Sequence, residues 1–300
     1  MQKAILSREL SLLFLAPALV FIALFLLYPF FSIIQMSFTN QTLVGANAIN
    51  PQNVGFQNYV ELFNTKDWMR QGEMGHSLWL TVQFVIGSAL IGQAMLGLGI
   101  ATAFNNRKGL LREIVFTLAI AAWIIPDVVV AFAWFAYLDP EGTLNMMLQA
   151  IGIQPLDWLF DYPMFSIILF NTWRGTAFSM LLFSSALASI PPSYMETADV
   201  IGASPWQKFR DILLPLLRRY IATDLILITL WTFNTFTPFL LTGGGPINRT
   251  NVISIYTYSV GLRFFEFGKA SAIAVVVMLI NLVLASIYLF VSRNQQGKTA

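Results

Sequence analysis

The sequence predicts an all-α, polytopic membrane protein with six transmembrane helices. Two features of the composition support this: 57% of the 300 residues are hydrophobic and 11% are charged, and the mean hydropathy is +0.68. Soluble domains carry roughly 25% charged residues, so these values argue against a water-facing globule. The third observation is the length of the apolar stretches, several of which exceed the roughly 20 residues that cross a bilayer as a helix. We expect residues 1–300 to form a single transmembrane domain.

Six apolar segments are the predicted spans. The first follows Lys3 and Arg8 and so resembles a secretory signal peptide, but its apolar run is too long and no cleavage site closes it. We therefore expect it to be a retained helix. The predicted spans are residues 11–36, 77–104, 114–137, 163–188, 220–241 and 270–292.

The distribution of basic residues predicts the orientation of these spans. With the N-terminus in the cytoplasm, 11 of the 17 Lys and Arg residues lie inside and five lie outside. The loop 138–162 contains four acidic residues and no basic one, which suits the outer side. We expect a multi-pass protein with both termini in the cytoplasm and with membrane lipids around it. A net charge of +2 gives no reason to expect nucleic acid as a partner.

Several kinds of chemistry are excluded or disfavoured by the residues that are absent. There is no cysteine and one histidine, His76, so a His/Cys metal site, a disulfide framework and a thiol nucleophile are excluded. The nucleotide-binding pattern G-x-x-x-x-G-K-[ST] is also absent, so we expect no cofactor in this chain. Paired carboxylates or a Ser–Lys pair within a span would indicate a membrane-embedded enzyme, and neither occurs. An ion-coupled secondary transporter is the alternative, but Asp127 is the one acid clearly within a span and Asp224 lies near an inner boundary.

The predicted cytoplasmic loop 189–219 has an unusual density of helix start and stop signals. Ser193 and Glu196 form the pattern of a capping box, in which each side chain bonds to the backbone of the other residue. We expect a helix over 194–201 that Gly202 ends.

A second start signal follows in the same loop. Ser204, Pro205 and Gln207 predict another short helix that runs to about Leu213, and Pro215 is expected to bend the chain back to the membrane. One face of this helix is apolar and comprises Trp206, Phe209 and Leu213. A loop that only joined two spans would need neither two helix starts nor an exposed tryptophan. We therefore interpret it as a docking device.

This loop also resembles the "EAA" motif of ATP-binding-cassette (ABC) importer permeases. The matching residues are Glu196, Ala198, Gly202, Ile212, Leu214 and Pro215. Thr197 and Ile201 depart from the usual Ala and Asp of the motif, and Asp199 supplies a nearby acid. The resemblance implies that the loop inserts into a groove of a cytoplasmic ATPase subunit and transmits its closure. The residues to which we assign this coupling are Glu196, Ala198, Gly202, Ser204, Trp206, Phe209, Ile212 and Pro215.

The resemblance extends over most of the chain and is to the carbohydrate, maltose-like branch of these permeases. It includes "FLAPALVFIALFLLYPF", "NTWRGTAFSMLLFSSALASIPPSYMETA" and "LTGGGPINRTNVISIYTYSVGL", and it is to the first of the two permeases of that branch. It implies a type I ABC importer permease fold in a bacterial or archaeal plasma membrane. The implied partners are a second permease, two ATPase subunits and an extracytoplasmic solute-binding protein. The implied solute is a sugar or a sugar-like compound, with polyols and glycerol phosphate esters as alternatives.

Polar side chains deep within spans are costly, which makes them candidates for a solute pathway. Together with nearby tryptophans, the candidates are Asp127, Asn171, Trp173, Arg174, Trp231 and Asn234. The amides and Arg174 could bind solute hydroxyls while aromatic rings stack on a sugar, or Arg174 could select anions. Alternatively, Asp127 and Arg174 pair with each other and fix helix packing, and the amides form interhelical hydrogen bonds.

The stretch "TGGGP", residues 242–246, follows the fifth span on the predicted outer side. Its simplest interpretation is a tight turn that ends the span. The resemblance to importer permeases adds that this turn contacts the solute-loaded binding protein. The residues assigned to that contact are Gly243, Gly244, Gly245 and Pro246.

Overall fold

The computed structural model describes residues 8–64, 66–105 and 107–296. Within these ranges the chain is helical with connecting loops, and it contains no strand beyond an isolated bridge between Thr39 and Asn53. The predicted all-α class is therefore confirmed. The chain divides into two units, one formed by residues up to Lys66 with Thr257–Ile280 and the other by Asp67–Tyr256 with residues from Asn281 onward.

Sixteen α-helices follow one another along the described residues. They are α1 Arg8–Ile22, α2 Tyr28–Met36, α3 Ala46–Ile49, α4 Gln57–Phe63, α5 Met74–Phe84, α6 Ala94–Phe104, α7 Leu110–Ile124, α8 Asp127–Leu138, α9 Thr143–Ala150, α10 Pro163–Ala188, α11 Ser193–Val200, α12 Pro205–Gln207, α13 Leu214–Asn234, α14 Pro238–Thr242, α15 Ile253–Tyr258 and α16 Phe267–Gln296. Four π-helical segments extend or join them: Ala23–Leu27, Val85–Gln93, Lys208–Leu213 and Ser259–Arg263.

Three helical stretches among the described residues are long and apolar enough to cross a membrane. They are Leu12–Met36, Met74–Phe104 and Phe267–Tyr288, which correspond to the first, second and sixth predicted spans. The fourth predicted span coincides with α10, a single helix of 26 residues. The remaining two predicted spans differ from their predictions.

The third predicted span is broken rather than continuous. Helix α7 ends at Ile124, α8 begins at Asp127, and the two helical stretches are bent by 110°. Pro126 causes the break, because it cannot donate a backbone hydrogen bond and it forces an extended conformation on Ile125 (ψ 135°). Asp127 therefore lies in the first turn of a helix and not in the middle of one.

The fifth predicted span is broken as well. Helix α13 ends at Asn234, Thr235 is extended (ψ 138°), and Pro238 opens the short helix α14. Within a continuous helix the ring of Pro238 would clash with the carbonyl of Asn234, four residues earlier, and this is where α13 ends. Helix α13 begins at Leu214, before the predicted start of the span at residue 220, and it ends at Asn234, before the predicted end at residue 241.

Helix α10 is the central helix of the second unit, with Phe170 and Phe183 fully buried. It packs closely against the stretch formed by the π-helical segment and α6, where three glycines face its side chains. The facing positions are Gly87 against Ile168, Gly92 against Thr172 and Gly97 against Ser179. Small residues allow such close helix approach in membranes. This packing fixes the orientation of α10, which presents Trp173 and Arg174 on another face.

Candidate functional site

The two helix breaks come together at Arg174, near the middle of α10. The guanidinium Nη1 donates a hydrogen bond to the carbonyl oxygen of Ile125 at 3.2 Å, and Nη2 forms an ion pair with the Asp127 carboxylate. The hydroxyl of Thr237, in the second break, donates to the other carboxylate oxygen of Asp127 at 3.1 Å. Of the alternatives that the sequence left open, the structure therefore contains the Asp127–Arg174 pair. The pair connects both broken spans to α10.

The helix ends favour these two charges. Asp127 lies in the first turn of α8, where the helix dipole is positive, and Arg174 binds the backbone just after α7, where it is negative. Each such interaction stabilises by about 0.3–1 kcal/mol at exposed sites. Arg174 also satisfies a carbonyl that the break at Pro126 leaves without a helical partner.

One group of aromatic rings, the α8 aromatic cluster, consists of Trp134, Tyr137, Phe170 and Trp173. The ring of Trp134 lies 5.6 Å from Tyr137, 5.9 Å from Phe170 and 5.7 Å from Trp173, measured between centroids. Three of these rings border a mainly apolar cavity of about 480 Å³. Its full lining is Ile125, Val129, Val130, Ala133, Trp134, Tyr137 and Trp173.

A second group, the α13 aromatic cluster, consists of Trp123, Phe178 and Trp231. Phe178 lies 6.1 Å from Trp123 and 4.6 Å from Trp231. Both tryptophans are exposed on the chain. Because α10 contributes Trp173 to one cluster and Phe178 to the other, the clusters flank Arg174 along this helix. Of the predicted pathway residues, Trp173, Trp231, Arg174 and Asp127 are thus brought into one region.

Asn171 does not belong to this region, which corrects its assignment to the pathway. It is buried, its side chain donates to the hydroxyl of Ser88 at 2.8 Å, and its carbonyl accepts from Gln93 at 3.3 Å. The physical reason is its register, because Asn171, Gly175 and Ser179 are spaced by four residues and form the face of α10 that packs on the second predicted span. Asn171 therefore makes an interhelical hydrogen bond, the alternative that the sequence left open.

Asn234 also makes an interhelical contact but stays exposed. It exchanges two hydrogen bonds with Asn281 of α16, at 3.1 and 2.9 Å. Sequence reasoning missed Asn281, although an amide within the sixth predicted span is the same kind of signal as Asn234. It also missed Trp134 and Tyr137, since aromatic residues in a span look the same in sequence whether they face a cavity or a core.

The loop 189–219, which we call the docking loop, has a first helix that ends as predicted at Gly202. This residue is left-handed (φ +71°), its N–H donates to the carbonyl of Asp199 at 3.0 Å, and the N–H of Ala203 donates to the carbonyl of Ala198 at 2.9 Å. These two hydrogen bonds form a Schellman motif. Asp199 additionally forms an ion pair with Lys208, which joins the two helices of the loop.

The two predicted helix starts have different outcomes. The capping box at Ser193 is wrong, because Pro192 occupies the N-cap position and Ser193 is already helical. The capping box at Ser204 is confirmed, with Gln207 N–H to Ser204 Oγ at 3.3 Å and Ser204 N–H to Gln207 Oε1 at 2.7 Å.

The expected bend at Pro215 is not a break in the helix. The helix that starts at Pro205 continues through the π-helical segment Lys208–Leu213 directly into α13. A π-helical segment shifts the backbone hydrogen-bonding pattern just before Pro215, so the missing N–H of this proline does not end the helix. The docking loop is therefore joined to α13 without an interruption in the helical backbone.

The docking loop exposes an apolar knob, which we define as Val200, Ile201 and Trp206. Their exposed fractions are 87%, 76% and 65%. Trp206 stacks on Phe209 at 5.7 Å, which fixes the indole. The sequence analysis did not assign Val200 and Ile201 to the docking surface. The signal for them was the position of two apolar residues immediately before the glycine that ends the helix. Among the predicted coupling residues, Ala198 is buried, Phe209 and Ile212 are half-buried, and Glu196, Gly202, Ser204, Trp206 and Pro215 are exposed.

The glycine-rich stretch after α14 is a helix-ending turn. Gly243 and Gly244 have positive φ values of 62° and 90°, and Gly243 is the C-cap of α14. The carbonyl of Gly245 accepts a hydrogen bond from Thr250 at 2.7 Å. Arg249 donates to the carbonyls of two residues in the loop before α10, Phe160 at 3.1 Å and Asp161 at 3.2 Å. The turn that contains Gly243, Gly244, Gly245 and Pro246 is thus fastened to a neighbouring loop.

A helical membrane fold with two broken spans around an ion pair, and with an exposed loop held by its own hydrogen bonds, is typical of a transmembrane permease. Among the described residues, no group of three or more His, Asp or Glu side chains is placed to hold a metal ion. The chain belongs to the family of binding-protein-dependent transport system inner membrane components, which it matches over residues 95–296. It is therefore the permease component of an ABC importer in the inner membrane, and this match gives no support to the ion-coupled alternative.

Named relatives and a solved structure agree with this assignment. The chain is 30% identical to the sulfoquinovosyl glycerol transport system permease protein SmoG of Agrobacterium fabrum, over 96% of this chain and 92% of the relative. It is 31% identical to the trehalose/maltose transport system permease protein MalF of Thermococcus litoralis, over 80% of each chain. Its fold resembles a chain of a bacterial alginate ABC transporter, solved with a periplasmic protein bound to an alginate pentasaccharide, with a TM-score of 0.79, 25% identity and 95% and 94% coverage. The predicted type I importer permease fold is confirmed.

Proposed function

We propose that this chain forms half of the translocation pathway of a sugar importer. In this proposal it spans the membrane six times with both termini in the cytoplasm, pairs with a second, different permease and docks onto two ATPase subunits. A binding protein delivers the solute at the turn Gly243–Pro246. The chain itself contributes no catalytic residue and holds no cofactor. The observation that carries the proposal is the exposed knob on an otherwise internally bonded loop.

The docking loop is suited to transmitting movement because it is rigid and continuous with α13. The Schellman motif, the Ser204 capping box and the Asp199–Lys208 pair fix the two loop helices to each other. A partner that displaces the knob displaces α13, whose far end at Asn234 lies beside the second break. Thr237 of that break binds Asp127, so movement of the loop reaches the ion pair.

The surroundings of the ion pair suit a saccharide. Binding sites for small molecules are mostly apolar and aromatic with a few placed polar groups, and the two aromatic clusters with Asp127 have this composition. The solutes named for the relatives, sulfoquinovosyl glycerol, trehalose/maltose and alginate, are glycosides or saccharides. Polyols and glycerol phosphate esters are the alternatives to be compared.

The test is ATP hydrolysis by the transporter assembled from this chain and the proteins encoded beside it, reconstituted in proteoliposomes. We would add the binding protein with maltose, trehalose, sorbitol or glycerol 3-phosphate. We expect one saccharide to stimulate hydrolysis. Stimulation by sorbitol or glycerol 3-phosphate alone would replace the saccharide by that class of solute.

The coupling role is tested with a matched pair of variants, Gly202→Asp and Gly152→Asp. Both glycines are left-handed (φ +71° and +83°) with open space where a side chain would be, so the backbone strain is the same, but Gly152 lies outside the docking loop. We expect Gly202→Asp to lose either the bound ATPase subunits or the stimulation of ATP hydrolysis by the loaded binding protein. Gly152→Asp should keep both. The proposal fails if the wild-type chain purifies with no ATPase, or if Gly202→Asp transports as the wild type does.

A further inference from the structure

The Asp127–Arg174 pair presents its acid to the surroundings and not its base. The side chain of Asp127 is 46% exposed, whereas that of Arg174 is 19% exposed. Arg174 lies behind the carboxylate, with Nη1 on the carbonyl of Ile125 and Nη2 on Asp127. Its guanidinium is therefore engaged by protein acceptors, and it is poorly placed to bind an anion.

No second basic residue is placed to bind an anion in place of Arg174 among the five described helices that meet at the breaks. Helices α8 and α14 contain no Lys or Arg, and Arg174 is the one basic residue of α10. Arg112 of α7 and Arg218 and Arg219 of α13 lie in the first two turns of their helices, far from the breaks. Arg112 is 12 residues from the end of α7, which corresponds to about 18 Å along a helix.

Residues next to the ion pair in the chain belong to both aromatic clusters and to the cavity wall. Trp173 precedes Arg174 directly, Phe178 follows it one turn later, and Ile125 of the cavity wall is two residues from Asp127. One carboxylate oxygen accepts from Thr237 and the other pairs with Arg174, which holds the carboxylate in place and leaves lone pairs for further donors. Hydroxyl groups of a neutral saccharide can donate to these positions, whereas a second carboxylate is repelled.

We propose that Asp127 determines specificity in the pathway, selecting neutral saccharides over acidic ones, and that Arg174 is the positioning residue that holds its carboxylate. This inference rests on the proposed function and names the charge class of its solute, which differs from that of the structurally similar alginate transporter, an importer of an acidic polysaccharide. The sequence left open that Arg174 selects anionic solutes. In this proposal the pair instead favours neutral solutes.

The experiment measures direct binding of two matched probes to the assembled transporter in detergent, without binding protein. The probes are methyl α-glucopyranoside and methyl α-glucopyranosiduronate. They differ only at C6, which is a hydroxymethyl group in the first and a carboxylate in the second. Saturation-transfer difference NMR titrations give an apparent Kd for each. For the wild type we expect the neutral glycoside to bind up to about fivefold more tightly, the ratio for two like charges about 4 Å apart in water, because the Arg174 cation behind the carboxylate offsets part of the repulsion.

Three variants test the residue itself. Asp127→Asn removes the repelling charge and releases Arg174, so the ratio of the two Kd values should fall to one or reverse. Asp127→Glu keeps the ion pair and should keep the preference for the neutral probe. Glu141→Gln removes an exposed acid of the loop after α8 and should leave the ratio unchanged.

The possible results separate this inference from the proposed function. Equal or tighter binding of the glucuronide by the wild type overturns the charge selection and leaves the saccharide importer intact. The charge selection is likewise overturned if neither probe binds although a loaded binding protein stimulates the ATPase, because the solute then does not meet Asp127. If Asp127→Asn fails to assemble, the Kd values of the two probes for the wild type and for Asp127→Glu still test the charge selection. Absence of ATPase coupling in the wild type refutes the proposed function itself.

Discussion

Gly97 gives the sharpest stability prediction, because any side chain there collides with α10. In Gly97→Ala the added Cβ would lie 2.5 Å from Ser179 Cβ, 2.7 Å from the backbone nitrogen of Met180 and 2.9 Å from the carbonyl carbon of Ser179. Two of these three atoms belong to the backbone of a fully helical segment, so no rotamer change relieves the contact. Helix α6 must move away from α10, and overpacking of this kind costs about 1–3 kcal/mol.

Gly99 provides the control within the same helix. It is exposed, and no atom lies within 4 Å of the position of an added Cβ. Both substitutions gain the same helix propensity, about 0.5–1 kcal/mol for Ala over Gly. The difference between the two variants therefore isolates the collision. We expect Gly99→Ala to be as stable as the wild type or more stable, and Gly97→Ala to lie about 1–3 kcal/mol below Gly99→Ala.

The assay is unfolding of the purified chain in detergent micelles, by heat and by SDS titration, followed by the loss of helical circular dichroism. Both variants are measured under the same conditions as the wild type. If Gly97→Ala were as stable as Gly99→Ala, α6 and α10 would not approach as closely as the structure has them. The packing that orients Arg174 would then have to be reconsidered.

Three further predictions concern the docking loop and a polar contact. Ser204→Ala removes a capping box and should lower local stability by about 1 kcal/mol, seen as faster amide exchange in the first turn of that helix; unchanged exchange would contradict the cap. Asn234→Ala and Asn281→Ala in a double-mutant cycle should show a coupling of about 0.6–1.7 kcal/mol, whereas additive effects would show that their hydrogen bonds contribute nothing. Trp206→Ala should leave the melting temperature unchanged, because most of the indole is exposed, yet reduce stimulated ATPase activity; wild-type stimulation would remove Trp206 from the docking surface.

Features that depend on a few neighbouring residues could be predicted from the sequence. The bounds of α10 follow from one uninterrupted apolar segment that starts at a proline, and the helix end at Gly202 follows from the need for a left-handed residue. The Ser204 box was predictable because both of its hydrogen bonds are local. The failure at Ser193 is instructive, since Pro192 can occupy the N-cap position itself and so moves the helix start by one residue.

Features that depend on an unusual helix period could not be predicted in this way. Gly87, Gly92 and Gly97 recur every five residues, which in an α-helix would distribute them around the axis. Gly87 and Gly92 both face α10 because Val85–Gln93 is π-helical and closes its hydrogen bonds five residues apart, and Gly97 faces α10 from α6. A helical period of 3.6 residues does not reveal this interface.

The helix breaks explain why a membrane-embedded chain retains two charges. A break in a span leaves backbone carbonyls and N–H groups without helical partners, and the hydrocarbon core offers no water to satisfy them. Arg174 supplies a donor for the carbonyl of Ile125, and Asp127 both balances this cation and accepts from Thr237 in the other break. Each charge is thus required by a proline that interrupts a span, and a rearrangement of either break changes the partners of the pair. An acidic residue directly after a proline within an apolar segment, as in Pro126-Asp127, is therefore a sequence signal that we expect to mark a broken span.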